Sequence, residues 1–409
     1  MSRRIVISGA GCLSAAGSRM EDLGRALEAG TGLARAERIE LGVGEWLETE
    51  VARIPDIDRG AFLPPARRRR MSLLSQNWVV ACLQARADAQ MTATPDPERA
   101  GVVLGTCLGS LENTIKYLDI VHHDGMGLGN PFLFSESVAN APAGHAAIDL
   151  DCRGFNVTLT CGAASGLMAV QTAARAIRDG RIDLAFAGGI EEMPAALLVV
   201  LARLGAIPAR GSPVARRSLA HVSGSRNRAP GEGAACFILE TEEGARRRGV
   251  EPYAEVLGCA AVSDPHATDI GWSHSVDVWA EMMRRTLEAS GVAPQELDGA
   301  MLHACGDPGA ERAECEALER VILSEKNRPE DFLLGSPSQV VGQLAGAGAF
   351  GVAAAILALK DRQPPGDAGH PPARPASERG PRRQDALHIL VNGGSWGGSC
   401  SGLLLGRAV

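Results

Sequence analysis

The chain has 409 residues, too many for one simple core, so two large units are expected. Apolar residues make up 45% and charged residues 22%, the balance of an ordinary soluble, enzyme-like chain. The net charge of −7 argues against nucleic acid or an anionic membrane as the main partner, and no uncharged apolar run approaches the roughly 18 residues needed to span a bilayer.

From the N-terminus, RIVISGAGCLS (Arg4 to Ser14) reads as a strand closing on a glycine turn. The basic start is followed by too short an apolar run for a signal peptide. Helix-rich sequence follows, including the basic run Arg67 to Arg70. GVVLGTCLGS (Gly101 to Ser110) is a second strand with a similar ending. Asn156 to Thr160 alternates and is rich in β-branched residues, which predicts a short strand. Cys161 to Gly166 is a tight elbow of small residues. Leu167 to Ile177 carries apolar residues at helical spacing with alanines on most other faces, so that helix is expected to be buried. Strands follow at Ile182 to Ala187 and Ala235 to Leu239. A strand that delivers the chain to a helix N-terminus through a small elbow is a common way to present one reactive side chain at the positive end of a helix.

The second half repeats this order. Tyr253 to Ser263 matches the first strand and Leu297 to Asp307 the second. Phe332 to Lys360 repeats strand, elbow and buried helix, and Leu387 to Gly394 with Gly402 to Gly406 repeats the last two strands. Five elements recurring in one order argue for an internal duplication of a βαβαβαββ unit. The halves divide near Gly249, as residues 1–249 and 250–409. Crossover helices make the sheets mixed and largely parallel. The expected fold class is α/β, a layered α-β-α-β-α body with the two apolar helices between the sheets. Gln363 to Gln384 is rich in Pro, Gly and Arg and reads as an exposed loop. The ten cysteines are scattered without CxxC spacing, which predicts reduced, buried small side chains in a cytoplasmic protein and no zinc site.

Glycine-rich elbows in duplicated halves resemble the thiolase fold. CRGFNVTLT, GGIEEM, PGEGAACFILETEEGARRRG, LHACGDPGAERAE, SPSQVVGQLAGAGAFGVAAAILAL and NGGSWGGSCSG, in this order, resemble the motifs of the β-ketoacyl-acyl carrier protein synthases. Active members use a cysteine nucleophile and two histidines, and no metal or cofactor is expected in this chain. Aligned on Ser165-Gly166, the nucleophile position is Ala163. The first histidine is His303, the second is replaced by Gln343, and the family lysine falls at Ser338. Glu232 keeps an acidic position, and Trp396 stands at the gatekeeper phenylalanine. The resemblance therefore implies a non-catalytic subunit similar to the chain length factor (ketosynthase β) of type II polyketide synthases, paired as a heterodimer with a catalytic ketosynthase and served by an acyl carrier protein. Familiar chain length factors commonly carry glutamine at the nucleophile position, whereas this chain has alanine, which leaves open a polyene or other non-aromatic pathway.

Two alternatives stay open: an active acyltransferase or condensing enzyme using Cys161 with His303, and a homodimeric binder of an acyl ligand. Strand parity favours a buried, inert Cys161. Arg67 to Arg70 would either dock an acidic carrier protein or be a solvated helix end. His122-His123 reads as surface. Asn130 to Gly144 corresponds to the loop that crosses the dimer interface in the family. Its Phe132, Leu133 and Phe134 are too apolar for open solvent and are expected against a partner or in the acyl tunnel. Leu108 and Leu111, three residues apart at a helix start, are expected with Phe134 at the tunnel floor.

Overall fold

The computed structural model describes residues 3–212, 228–268, 271–326, 332–343, 345–361 and 387–408. The first half contributes strands β1 (Ile5–Ser14), β2 (Arg35–Gly42), β3 (Glu45–Val51), β4 (Ala100–Gly105), β5 (Asn156–Leu159), β6 (Leu184–Glu191), β7 (Ala209–Gly211) and β8 (Gly233–Thr241). The second contributes β9 (Ala254–Ser263), β10 (Gly299–Met301), β11 (Leu333–Gly335), β12 (His388–Gly394) and β13 (Ser399–Arg407).

Ten of these strands run in the order β5-β4-β6-β8-β1-β9-β13-β12-β10-β11. The β1–β9 seam is narrow, pairing only Val6 with Glu255 and Ile7 with Ala254. Outward from the seam, the first half reads β1-β8-β6-β4-β5 and the second β9-β13-β12-β10-β11. Each half therefore places its own strands in the order first, fifth, fourth, second, third, as a duplicated unit must. The sheets are mixed but evenly so, which corrects the expectation of largely parallel pairing. Within each half two pairs are antiparallel and two parallel. In the second half the fourth and fifth strands are joined across a turn of four residues, and so short a connection permits only antiparallel pairing.

Alternating strand residues divide three apolar cores. Val103, Ala185, Ala187, Phe237 and Leu239 face a central core. Their neighbours Val102, Leu104, Phe186 and Ile238 face an outer core with the helix Leu73–Asp88 and its buried Trp78. Leu390 and Leu404 face the opposite outer core, with helices Val276–Ser290 and Pro308–Val321. The central core holds the helices Ser165–Arg178 and Phe350–Asp361. Alanines at 169, 173, 174, 353, 354 and 355 are small enough to let these helices sit between two sheets. The result is the five-layer arrangement. One polar tie crosses it: buried Gln171 donates to the Ser401 hydroxyl at 2.8 Å and the Gly402 carbonyl at 2.9 Å.

Two readings from sequence are corrected. Residues 35–51, taken as helix-rich, form the β2–β3 hairpin, which joins β7 in a separate sheet. The alternation of Ile39, Leu47, Thr49 and Val51 and the turn at Gly42-Val43-Gly44 carried that signal. The supposed loop at 130–144 holds the helix Pro131–Glu136 and the start of Ala141–Leu150, each with a proline in its first turn, where proline is well accommodated. Gln363 to Gln384 lies outside the described residues. Among the described residues no helix is long and apolar enough to cross a membrane.

Candidate functional site

Strand β5 ends at a 3₁₀ turn, Gly162–Ala164, which leads directly into the helix Ser165–Arg178. The turn needs Gly162. Its φ is +78°, and a Cβ there would lie 1.9 Å from the Ser395 hydroxyl oxygen. That hydroxyl donates to the Cys161 carbonyl at 2.7 Å. The Ser165 hydroxyl accepts from the Cys161 amide at 2.8 Å and donates to the Gly162 carbonyl at 2.6 Å. Ala163 is thereby fixed just before the helix, 2% exposed, where a positive helix end would favour an anion. Its methyl group offers no nucleophile.

Ala163 borders a chamber of about 40 Å³, lined also by His303, Ser338, Gln343, Phe350 and Asn392. The structure thus brings Ala163, His303 and Gln343, the three positions singled out in the sequence, to one place. Burial pushes the His303 imidazole down to about 4, and the Arg228 charge acts in the same direction, so the ring is neutral. Its ring centroid lies 5.0 Å from that of Trp272 and 6.5 Å from that of Trp279. Behind it, the Glu314 carboxylate accepts from the His303 amide at 2.9 Å and the Asn392 side-chain amide at 2.9 Å. Burial nonetheless raises Glu314 to about 7. His303 Nε2, Gln343 Nε2 and Asn392 Oδ1 are buried and have no hydrogen-bond partner among the described residues. A polar chamber of about 40 Å³ has room for one water molecule within reach of such groups. The Ser338 hydroxyl is engaged with Ser336 at 3.0 Å and the Ala304 carbonyl at 3.0 Å. Glu232 is structural. Its carboxylate binds Arg53 at 2.6 Å and accepts from the backbone amides of Ile54 and Met193, both at 3.3 Å.

Gln343 also reaches a larger outer pocket of about 600 Å³. Trp272 and Trp396, with ring centroids 5.6 Å apart, line it together with Asp264, His266, His274 and Asp307. Trp396 therefore stands at the boundary between solvent and the inner site. Residues 264–275 were missed in the sequence because the stretch has neither helical nor strand period. The packing of Trp272 on His303 is what gives it a place in the site. Among the described residues no group of three or more His, Cys, Asp or Glu side chains could hold a metal ion.

Cys161 is exposed, against the expected burial. Both its backbone groups are held inside the elbow, and it lines neither the chamber nor the outer pocket. The other cysteines are buried or half-buried, and burial pushes those at 152, 315 and 400 up to about 12. Leu111 is half-buried against the apolar cluster that includes Ala163, whereas Leu108 is more exposed. Leu133 is half-buried. Phe132 and Phe134 lie on the outside of this chain, 62% and 58% exposed, with the Phe134 ring centroid 5.4 Å from that of Tyr117. Arg67 lies 2.7 Å from Asp149, and Arg69 and Arg70 are exposed. His122 and His123 sit in the last turn of the helix Leu111–Asp124, with ring centroids 5.1 Å apart.

A duplicated five-layer α/β body with a helix-tip elbow between its sheets defines the thiolase-like fold class. Within that class, family profiles for the β-ketoacyl synthase N-terminal and C-terminal domains match residues 2–245 and 253–369. The chain belongs to the β-ketoacyl synthase family. It is 29% identical to a putative polyketide β-ketoacyl synthase 1 of Streptomyces virginiae, over 85% of this chain and 84% of that one. It is 26% identical to a 3-oxoacyl-[acyl-carrier-protein] synthase 2 of Coxiella burnetii, over 89% and 87% respectively. Among solved structures, its fold is similar to the ishigamide ketosynthase/chain length factor, with TM-score 0.82, 24% identity and full coverage of both chains. It is also similar to a β-ketoacyl synthase from Burkholderia phymatum, with TM-score 0.80, 24% identity and full coverage of both.

Proposed function

We propose that this chain is a non-condensing member of the family, a chain length factor. It would pair with a catalytic ketosynthase in the cytoplasm and shape the tunnel that limits a polyketide or polyene chain. The observation that carries this reading is the methyl group of Ala163 at the helix tip. It faces a chamber in which one histidine position holds an amide and the lysine position a hydroxyl. A methyl cannot attack a thioester, and a neutral amide cannot relay a proton as an imidazole does. The scaffold around these losses is intact, which fits a subunit kept for shape. The exposed Phe132 and Phe134 fit a surface covered by a second chain. Arg69 and Arg70 offer charge for an acidic carrier protein. The resemblance in fold to a ketosynthase/chain length factor, and to a ketosynthase solved with its acyl-carrier protein, accords with both partners.

The rival reading, acyl transfer through Cys161 and His303, draws on the exposure of that thiol. It requires Cys161 to serve a buried imidazole whose chamber it does not line.

Co-expression with intact Cys-His-His ketosynthases of the same organism, followed by size-exclusion chromatography, tests the pairing. A stable heterodimer is expected, and its interface should bury roughly 2,000 Å² or more. A homodimer indifferent to every such partner would overturn the reading. Intact-mass analysis after incubation with acyl-carrier protein tests the rival, which predicts a stable adduct at Cys161. In the reconstituted pair, truncating Leu111 and Phe134 should lengthen the product.

A further inference from the structure

Two consecutive carboxylates hold the segment that carries Leu108 and Leu111. Glu191 ends β6 and is buried; Glu192 follows it and is half-buried. Neighbouring residues of an extended chain point in opposite directions, yet both of these engage residues 106–112. Glu191 accepts from the Cys107 amide at 2.5 Å, the Leu108 amide at 3.3 Å and the Thr106 hydroxyl at 3.4 Å. Glu192 accepts from the Glu112 amide at 2.8 Å.

That last bond replaces a missing local cap. The first amides of a helix have no partner within it and are normally satisfied by a side chain just before the helix. At Leu111–Asp124 that residue is Ser110, which makes no capping bond, and its buried hydroxyl has no partner among the described residues. The acceptor comes instead from a strand end 80 residues away in sequence. Its neighbours are polar and charged: Glu112 pairs with Lys116 at 2.9 Å, and Glu232 pairs with Arg53 at 2.6 Å. The two carboxylates thus fix both the loop bearing Leu108 and the first turn bearing Leu111. That turn packs on the cluster containing Ala163.

We propose that Glu192, with Glu191 beside it, is a positioning residue for product length, holding Leu108 and Leu111 in register with the tunnel. The proposal rests on the chain-length reading above and adds a residue to it that touches no acyl chain. What Glu192 supplies is an acceptor oxygen, so glutamine should replace it and alanine should not.

The experiment uses the reconstituted pair with a catalytic ketosynthase, reading product lengths by mass spectrometry and amide hydrogen exchange across residues 106–116. Glu192→Ala should accelerate exchange there at least about 10-fold, the loss of one bonded amide partner. It should also broaden the products toward longer chains, with the heterodimer intact. Glu192→Gln should match the unaltered chain in both readouts. Should Glu192→Ala fail to assemble, Glu192→Asp, which withdraws the oxygen by one methylene, takes its place. Accelerated exchange with an unchanged length distribution would overturn the proposal and leave Glu192 a structural cap. So would equal effects of the alanine and glutamine variants. If Leu111→Ala lengthens products while Glu192→Ala does not, only the positioning role fails. If neither changes length, the chain-length reading fails with it.

Discussion

Replacing Ala163 by cysteine puts a thiol at the position proposed above to match the family's nucleophile, and the structure predicts that it will be nearly inert. The site has room: Ala163 borders a chamber of about 40 Å³, so one sulfur atom fits without moving the backbone. The surroundings decide its reactivity. Burial pushes the buried or half-buried Cys152, Cys315 and Cys400 up to about 12. A thiol with that value is ionised to about one part in 30,000 at about pH 7.5, against about one part in ten for free cysteine. The helix N-terminus acts the other way, by at most about 2 kcal/mol, or roughly 1.5 pK units. No imidazolium adds to it, because His303 is held neutral and Gln343 cannot take a proton. The thiolate then stays near about one part in 1,000, and alkylation or acylation should run roughly 100-fold slower than for an exposed cysteine. Intact-mass time courses with iodoacetamide and with acyl-carrier protein measure this, with Cys161→Ala in both backgrounds to remove the surface thiol. Condensation with malonyl-carrier protein should be absent. Adding Gln343→His should raise the alkylation rate by supplying a second imidazole. Reaction of the single variant at the rate of an exposed cysteine would refute the argument, since it would show the elbow still activating a thiol unaided.

Three further outcomes are expected. Gly162→Ala should destabilise the chain by more than about 1 kcal/mol, because it combines a left-handed backbone with a clash against the Ser395 hydroxyl. An unchanged urea midpoint would contradict the account of the elbow. Burial raises Glu191 to about 8 and Glu192 and Glu314 to about 7. The folded chain therefore binds these protons more tightly than the unfolded one, so their stabilising contribution is complete below about pH 4 and is lost as pH rises through 7 to 8. His303, lowered to about 4, contributes oppositely: its share is present above about pH 6.5 and lost as pH falls through 4. Urea midpoints should thus fall between pH 6 and pH 9, and Glu314→Gln should flatten that fall; a rise would reverse the assignment. Finally, Cys161 is the one exposed cysteine among the described residues, so brief maleimide treatment of the folded chain should label a single site, mapped to Cys161 by peptide mass. Fast labelling of two or more sites would contradict the burial of the others.

Much of this protein is written locally. The alternation at Asn156, the small elbow and the alanine-rich helix after it specify a strand, a turn and a buried helix through nearest-neighbour physics alone. Their repetition in the second half marks the duplication, and the same local string identifies Ala163 as the residue at the helix tip. The residues of the candidate site that lie far apart in sequence are not written that way. His303 and Gln343 follow β10 and β11 and Asn392 lies within β12, and only the folding of these strands into one half-sheet brings the three around a single chamber with Ala163. Strand parity misreads the exposure of Cys161, because the strand ends at Leu159 and the side chain obeys the turn instead. The hold of Glu192 on Glu112 spans 80 residues. Periodicity reports which face of an element is buried; it carries no information on which distant carboxylate satisfies a helix end. That depends on closing long loops into a particular sheet order, which only the tertiary structure decides.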